Sequence, residues 1–190
     1  MEEGEHTAIV PSKRLVTNAK RKGEPKSSRK GEPSFFMSES MKRLSTPWSV
    51  ASIRARQIDP MALPAGVILD AAAGSGIQLI AFSKILKRPA LGVEIDQDVA
   101  KLCAANMYLN SEGDVQRSLD RVLVGDGCSA ESAVSTYWSS LREAGTRAHP
   151  PVAMLHIDPA RPRDAQNHSL NEMEPDICLL YTSPSPRDRS

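Results

Sequence analysis

The sequence predicts an α/β fold built on a doubly wound parallel sheet, and three observations predict it. Four short apolar runs, at residues 67–69, 90–93, 122–124 and 152–157, have the length of buried strands. The stretches between them carry apolar residues at helical spacing. Each run ends near an acid, in turn Asp70, Glu94, Asp126 and Asp158. Strands alternating with helices of these lengths make parallel units with right-handed crossovers. In open sheets of that kind, ligands bind beyond the carboxyl ends of the strands, where strand order reverses. Four acids at four such ends are more than solvated loop charge explains.

Taken in order, residues 1–34 are polar, with few apolar positions and several Gly, Pro and Ser. Between Pro11 and Glu32 stand eight Lys or Arg and two acids. Such a segment has little apolar surface to offset its ordering entropy, so it is expected to be a disordered basic arm. Its charge suits the phosphates of RNA, but it lacks the interleaved aromatics that would stack bases. Residues 35–66 form a lead-in helical segment. Thr46 is placed to cap its helix, with Pro47 as the first helical residue. Val50, Ile53 and Ile58 share one face, Arg54 and Arg56 are among the polar positions, and the helix is expected over the sheet edge or the ligand mouth. Pro60 and Pro64 separate it from the first strand.

That strand, Val67-Ile68-Leu69, runs into Asp70-Ala-Ala-Ala-Gly74-Ser-Gly76 and then a helix starting at Ile77. Gly74 and Gly76 let the backbone approach a ligand closely. A turn opening on an acid does not suit a pyrophosphate; it suits an amine-bearing or cationic ligand. Twenty residues beyond Gly74, the second strand ends in Glu94, the offset at which an acid accepts hydrogen bonds from ribose hydroxyls. Asp96 or Asp98 caps the next helix, where Val99, Leu102, Cys103 and Met107 repeat at helical spacing, so Cys103 is read as core. After the third strand, Ala133, Val134, Tyr137, Trp138 and Leu141 form an amphipathic stripe read as sheet packing. Pro150 and Pro151 break the chain before the fourth strand, in which His156 is read as a satisfied core histidine that could otherwise act as a base.

On these residues the stretch 67–162 resembles the class I S-adenosylmethionine-dependent methyltransferases. The resemblance implies a Rossmann-like sheet and S-adenosyl-L-methionine as cofactor. It implies that Asp70, Gly74 and Gly76 form the first motif, near the methionine amine. Glu94 would bind the ribose and Asp126 the adenine amine. Ala72 stands where many members carry another glycine. Asp158-Pro-Ala-Arg161 resembles the loop that meets the methyl acceptor, with Asp158 and Arg161 as catalytic residues. Ala160 and Arg161 replace the second proline and the aromatic of the amine-methylating members, which argues against a stacked base amine. The Asp-Pro-x-Arg form is closer to RNA methyltransferases of the uridine C5 type and to archaeal enzymes with a THUMP-like module. Residues 44–56 also resemble the lead-in helix of the latter. RNA is therefore the expected partner and substrate.

Two other readings use the same residues. A nicotinamide-dependent oxidoreductase would want no acid at Asp70 and a third glycine after Gly76. A non-catalytic RNA-binding protein with a degenerate methyltransferase fold would suit the basic arm but leaves the set of acids without a use. At 190 residues and a net charge of +1, the chain suggests one domain and no global field toward nucleic acid. It has no apolar run long enough to span a membrane. It opens Met1-Glu-Glu-Gly-Glu, unlike a secretory signal. Its cysteines, Cys103, Cys128 and Cys178, suggest neither disulfides nor a metal site, so a cytoplasmic setting is expected. Residues 178–188 read as the in-frame translation of a transposon-based sequencing adapter. That predicts a non-native tail over 178–190, a sheet truncated after its fourth strand, and a chain without methyl-transfer activity.

Overall fold

The computed structural model describes residues 6–111 and 115–158. These form an α/β unit around a five-stranded mixed sheet in the order β1-β4-β3-β2-β5. The strands are β1 (Thr7–Ile9), β2 (Val67–Asp70), β3 (Ala90–Glu94), β4 (Arg121–Val124) and β5 (Val152–His156). The four strands read from the apolar runs pair in parallel, and β1 joins β4 antiparallel. The helices are α1 (Lys13–Lys20), α2 (Glu39–Leu44), α3 (Trp48–Arg56), α4 (Ile77–Leu86), α5 (Gln97–Asn110) and α6 (Ala130–Glu143), with a 3-10 turn at Val115–Leu119.

Strand alternation sorts the core into two layers. Ile68, Ala90, Val122 and Met154 face α3, α4 and α5, whereas Val67, Leu69, Leu91, Val93 and Leu123 face α6. On that second face Ala133, Tyr137 and Leu141 are fully buried, as the stripe predicted, and the Tyr137 hydroxyl donates to Leu119 O at 2.9 Å. Asp96 caps α5, its carboxylate accepting from the amides of Asp98 and Val99.

Three expectations need correction. The arm expected over residues 1–34 is ordered across its described part, residues 6–34: it contains β1 and α1, and Lys26 and Phe35 exchange two main-chain hydrogen bonds at 2.9 Å. The few apolar side chains are spent efficiently. Ala8 and Ile9 cover the β4 edge, while Leu15, Val16 and Ala19 lie against Leu102, Ala105 and Leu109 of α5. The sheet is accordingly mixed rather than wholly parallel, with five described strands rather than four. Finally, α3 does not bury Val50 and Ile53, which are 40% and 55% exposed. It turns Ala51, Ser52 and Ala55 inward, small side chains that let it lie close on α4. The 178–190 tail lies outside the described residues.

Candidate functional site at the carboxyl ends of the strands

Parity places Asp70, Glu94 and His156 on the α4 face of the sheet, because each falls in phase with the Ile68, Ala90 or Met154 of its own strand. Asp70 pairs in register with Gly92 on one side and His156 on the other. Its carboxylate is 2% exposed; Oδ1 accepts from the Ala72 amide at 3.2 Å and Oδ2 lies 3.3 Å from His156 Nδ1. That approach is a close contact without hydrogen-bond geometry, since the buried Nδ1 has no aligned partner. The His156 ring rests edge-on against Phe82, with centroids 5.1 Å apart.

The glycine loop closes the gap between Asp70 and Glu94. Gly74 and Gly76 have φ of 51° and 80°, values that favour glycine. A side chain at Gly76 would meet Cys103 Sγ at 2.8 Å, whereas the space beside Gly74 is open. The Gly74 amide donates to Glu94 Oε2 at 3.0 Å, and the Asp96 amide donates to Oε1 at 3.0 Å. The Ile95 amide also approaches this carboxylate, whose acceptor capacity these donors do not exhaust. Burial raises the Glu94 carboxyl above the ordinary range, opposed by these backbone donors. Cys103, fully buried beneath the loop, has its thiol pushed well up by burial and by the charges of Asp70 and Glu94, which fits a core rather than a reactive role.

The loop after β4 joins the same edge. A Cβ on Gly127 would fall 1.9 Å from Ala71 O, so only glycine lets the Asp126 loop lie against the Asp70 loop. Asp126 Oδ1 accepts from the Cys128 amide at 2.9 Å. Its main-chain oxygen accepts from His6 Nε2 at 3.0 Å, while His6 Nδ1 sits 3.1 Å from Ser132 Oγ. His6 is buried over Gly125 and was not legible as a site neighbour in the sequence.

Arg54 of α3 reaches across the α4 end, 3.4 Å from Gln78 Oε1 and 3.4 Å from Asp158 Oδ2. Gln78 in turn donates to Ala51 O at 3.3 Å, tying α3 to the start of α4. Asp158 is thus exposed, just beyond β5, and paired with the lead-in helix. Arg161 lies outside the described residues. The structure brings Asp70, Gly74, Gly76 and Glu94 together and sets the Asp126 loop against them. The Asp70–His156 and Arg54–Asp158 pairs are contacts that sequence reading missed. Both need a register between segments distant in sequence.

Among the described residues no cluster of three His, Cys, Asp or Glu could hold a metal ion. No helix among them is long and apolar enough to cross a membrane. The chain matches no protein-family model, no curated protein and no solved structure with which it was compared.

Proposed function

We propose that the chain binds S-adenosyl-L-methionine at the carboxyl edge of the sheet and belongs to a methyltransferase acting on RNA. The observation that carries this reading is Glu94 spanning from β3 to the Gly74 amide, beside a buried Asp70, with open space at the Gly74 Cβ position. The fit of the residues to the cofactor is chemical. A buried carboxylate at Asp70 suits an amine-bearing ligand, and the acceptor capacity left on Glu94 suits a ribose hydroxyl. The parallel order β4-β3-β2-β5, with helices on both faces, supports a Rossmann-like reading of the sheet.

When bound, S-adenosylmethionine supplies a methyl group already activated on a sulfonium, so the protein's task is chiefly positioning. Asp70 holds the amino group and Glu94 the ribose hydroxyls. Asp126 accepts from the adenine amine. Asp158 orients the acceptor or takes its proton, and Arg161 contacts the substrate or its phosphate. Arg54 would hold Asp158 toward the α4 end until substrate arrives. Both partners are about half exposed, so the pair is weak enough to exchange.

The test is calorimetric titration of the chain with S-adenosylmethionine and, separately, with NAD. Binding of the first alone is expected, weakened in Glu94→Gln. Binding of NAD in preference, or of neither, overturns the reading.

A further inference from the structure

The basic segment that reads as a tail is built into the fold, and this changes what its charge can do. Residues 13–30 hold eight Lys or Arg and one acid, while the rest of the chain holds sixteen basic and twenty-two acidic residues. The near-zero net charge therefore hides a strong segregation. All eight cations, Lys13, Arg14, Lys20, Arg21, Lys22, Lys26, Arg29 and Lys30, are exposed. None of them forms an ion pair among the described residues.

Their scaffold is fixed on both sides. The apolar side of α1 lies on α5, so its cations point outward. The main-chain pair of Lys26 with Phe35 holds the far end of the segment. Next to it, the Phe36 amide donates to Asn106 Oδ1 at 2.7 Å, and Asn106 Nδ2 donates to Phe36 O and to Ser75 O, both at 2.9 Å. Asn106 is fully buried, and Ser75 lies between Gly74 and Gly76. The basic surface is thus coupled through one buried amide to the glycine loop.

We propose that residues 13–30 form an ordered docking surface for the phosphate backbone of RNA, reading charge and not base identity. Phe35 and Phe36 are buried, and the exposed face of the segment offers no aromatic ring on which a base could stack. A membrane surface is disfavoured because an interfacial helix must bury its apolar face in lipid, and α1 has committed that face to α5. The choice of RNA over another polyanion rests on the proposed methyltransferase reading; the phosphate site itself does not need the cofactor.

The test uses the full chain and a fluorescent single-stranded 20-nucleotide RNA, with anisotropy measured over a salt series and no cofactor present. The variant Lys20→Gln/Arg21→Gln/Lys22→Gln is compared with the parent, and Lys101→Gln serves as a control cation outside the segment. Weaker binding by at least tenfold at low salt is expected in the triple variant. The slope of log K against log salt should fall by about 0.7 for each phosphate that the variant no longer neutralises. Homopolymers of different base should bind within a few-fold of one another. Unchanged circular dichroism and melting temperature separate the effect from unfolding. Equal weakening in Lys101→Gln, an unchanged slope, strong base preference, preferential capture by anionic vesicles, or charge-driven self-association in place of RNA binding would each overturn the proposal. S-adenosylmethionine titration of the same variant keeps the two readings apart: loss of RNA binding with cofactor binding intact supports the docking surface, whatever the reaction.

Discussion

Glu94 is the side chain on which most of the site depends, and its environment gives two predictions of opposite sign. On the proposed reading, replacing it with Ala removes a charge-assisted acceptor for the ribose hydroxyls of the cofactor. S-adenosylmethionine binding should weaken by about 1.5–3 kcal/mol in calorimetry while circular dichroism stays unchanged. Stability should respond differently. Burial raises the Glu94 carboxyl in the folded state, so the native chain holds that proton more readily than the unfolded chain. The stabilisation from this group is fully present below the unfolded value of about pH 4.3 and is lost as pH rises through the raised native value. Glu94→Gln should remove that loss, and denaturant melts across this window would show a flatter pH dependence than the parent. Gly127 provides the steric counterpart. Gly127→Ala drives a Cβ into the Ala71 carbonyl, and a cost of about 1–3 kcal/mol is expected from the forced backbone shift. The same shift should weaken cofactor binding, because it parts the Asp126 loop from the Asp70 loop. Asp70, Glu94 and Asp126 were readable in sequence because each ends an apolar run. His156 against Asp70 was not, since that approach depends on β5 docking beside β2 from a distant part of the chain.

At the scale of elements, the parallel strands and the helices between them were legible, because apolar runs and stripes report burial directly. The first strand and helix were not. β1 has three residues, too few for a periodic signal, and it gains stability from the β4 edge and not from its own composition. α1 carried a usable clue in Leu15, Val16 and Ala19 at helical spacing after Ser12, masked by the surrounding lysines and arginines. For α3 the larger apolar residues misled. Ala51 and Ala55 form the packing face because close helix approach rewards small side chains, and Gln78 and Arg54 supply polar links at its rim. These placements reverse the expectation of a disordered amino-terminal arm over its described residues. Deleting residues 1–10 removes β1, both hydrogen bonds of the buried His6 and the cover over Gly125. A drop of about 2–4 kcal/mol in denaturant unfolding is expected, the sum of a few hydrogen bonds and a small buried apolar area. An unchanged midpoint would show that β1 contributes nothing to the fold.

For the molecule as a whole, the two ends of the sheet differ. At one end, β1 covers β4 antiparallel, and the short added strand leaves little of the β4 edge to pair with another chain. At the other end β5 pairs only with β2 among the described residues. Its Leu155 is 47% exposed on the face opposite Met154 and His156. A parallel strand of Val, Ala, Met and Leu whose second ladder is unpaired among the described residues is a template for strand addition. The expected outcome is concentration-dependent association through this edge, visible as rising light scattering at constant secondary structure. Leu155→Lys should suppress it, because a charge on the exposed face of an edge strand disfavours pairing while leaving the buried face intact. Its unfolding free energy should stay within about 1 kcal/mol of the parent, as for an exposed site. The triple change at Lys20, Arg21 and Lys22 acts away from β5 and should leave this scattering untouched. If instead the triple change abolishes association and Leu155→Lys does not, the copies meet through the basic segment and the acidic remainder, and the β5 edge is already covered.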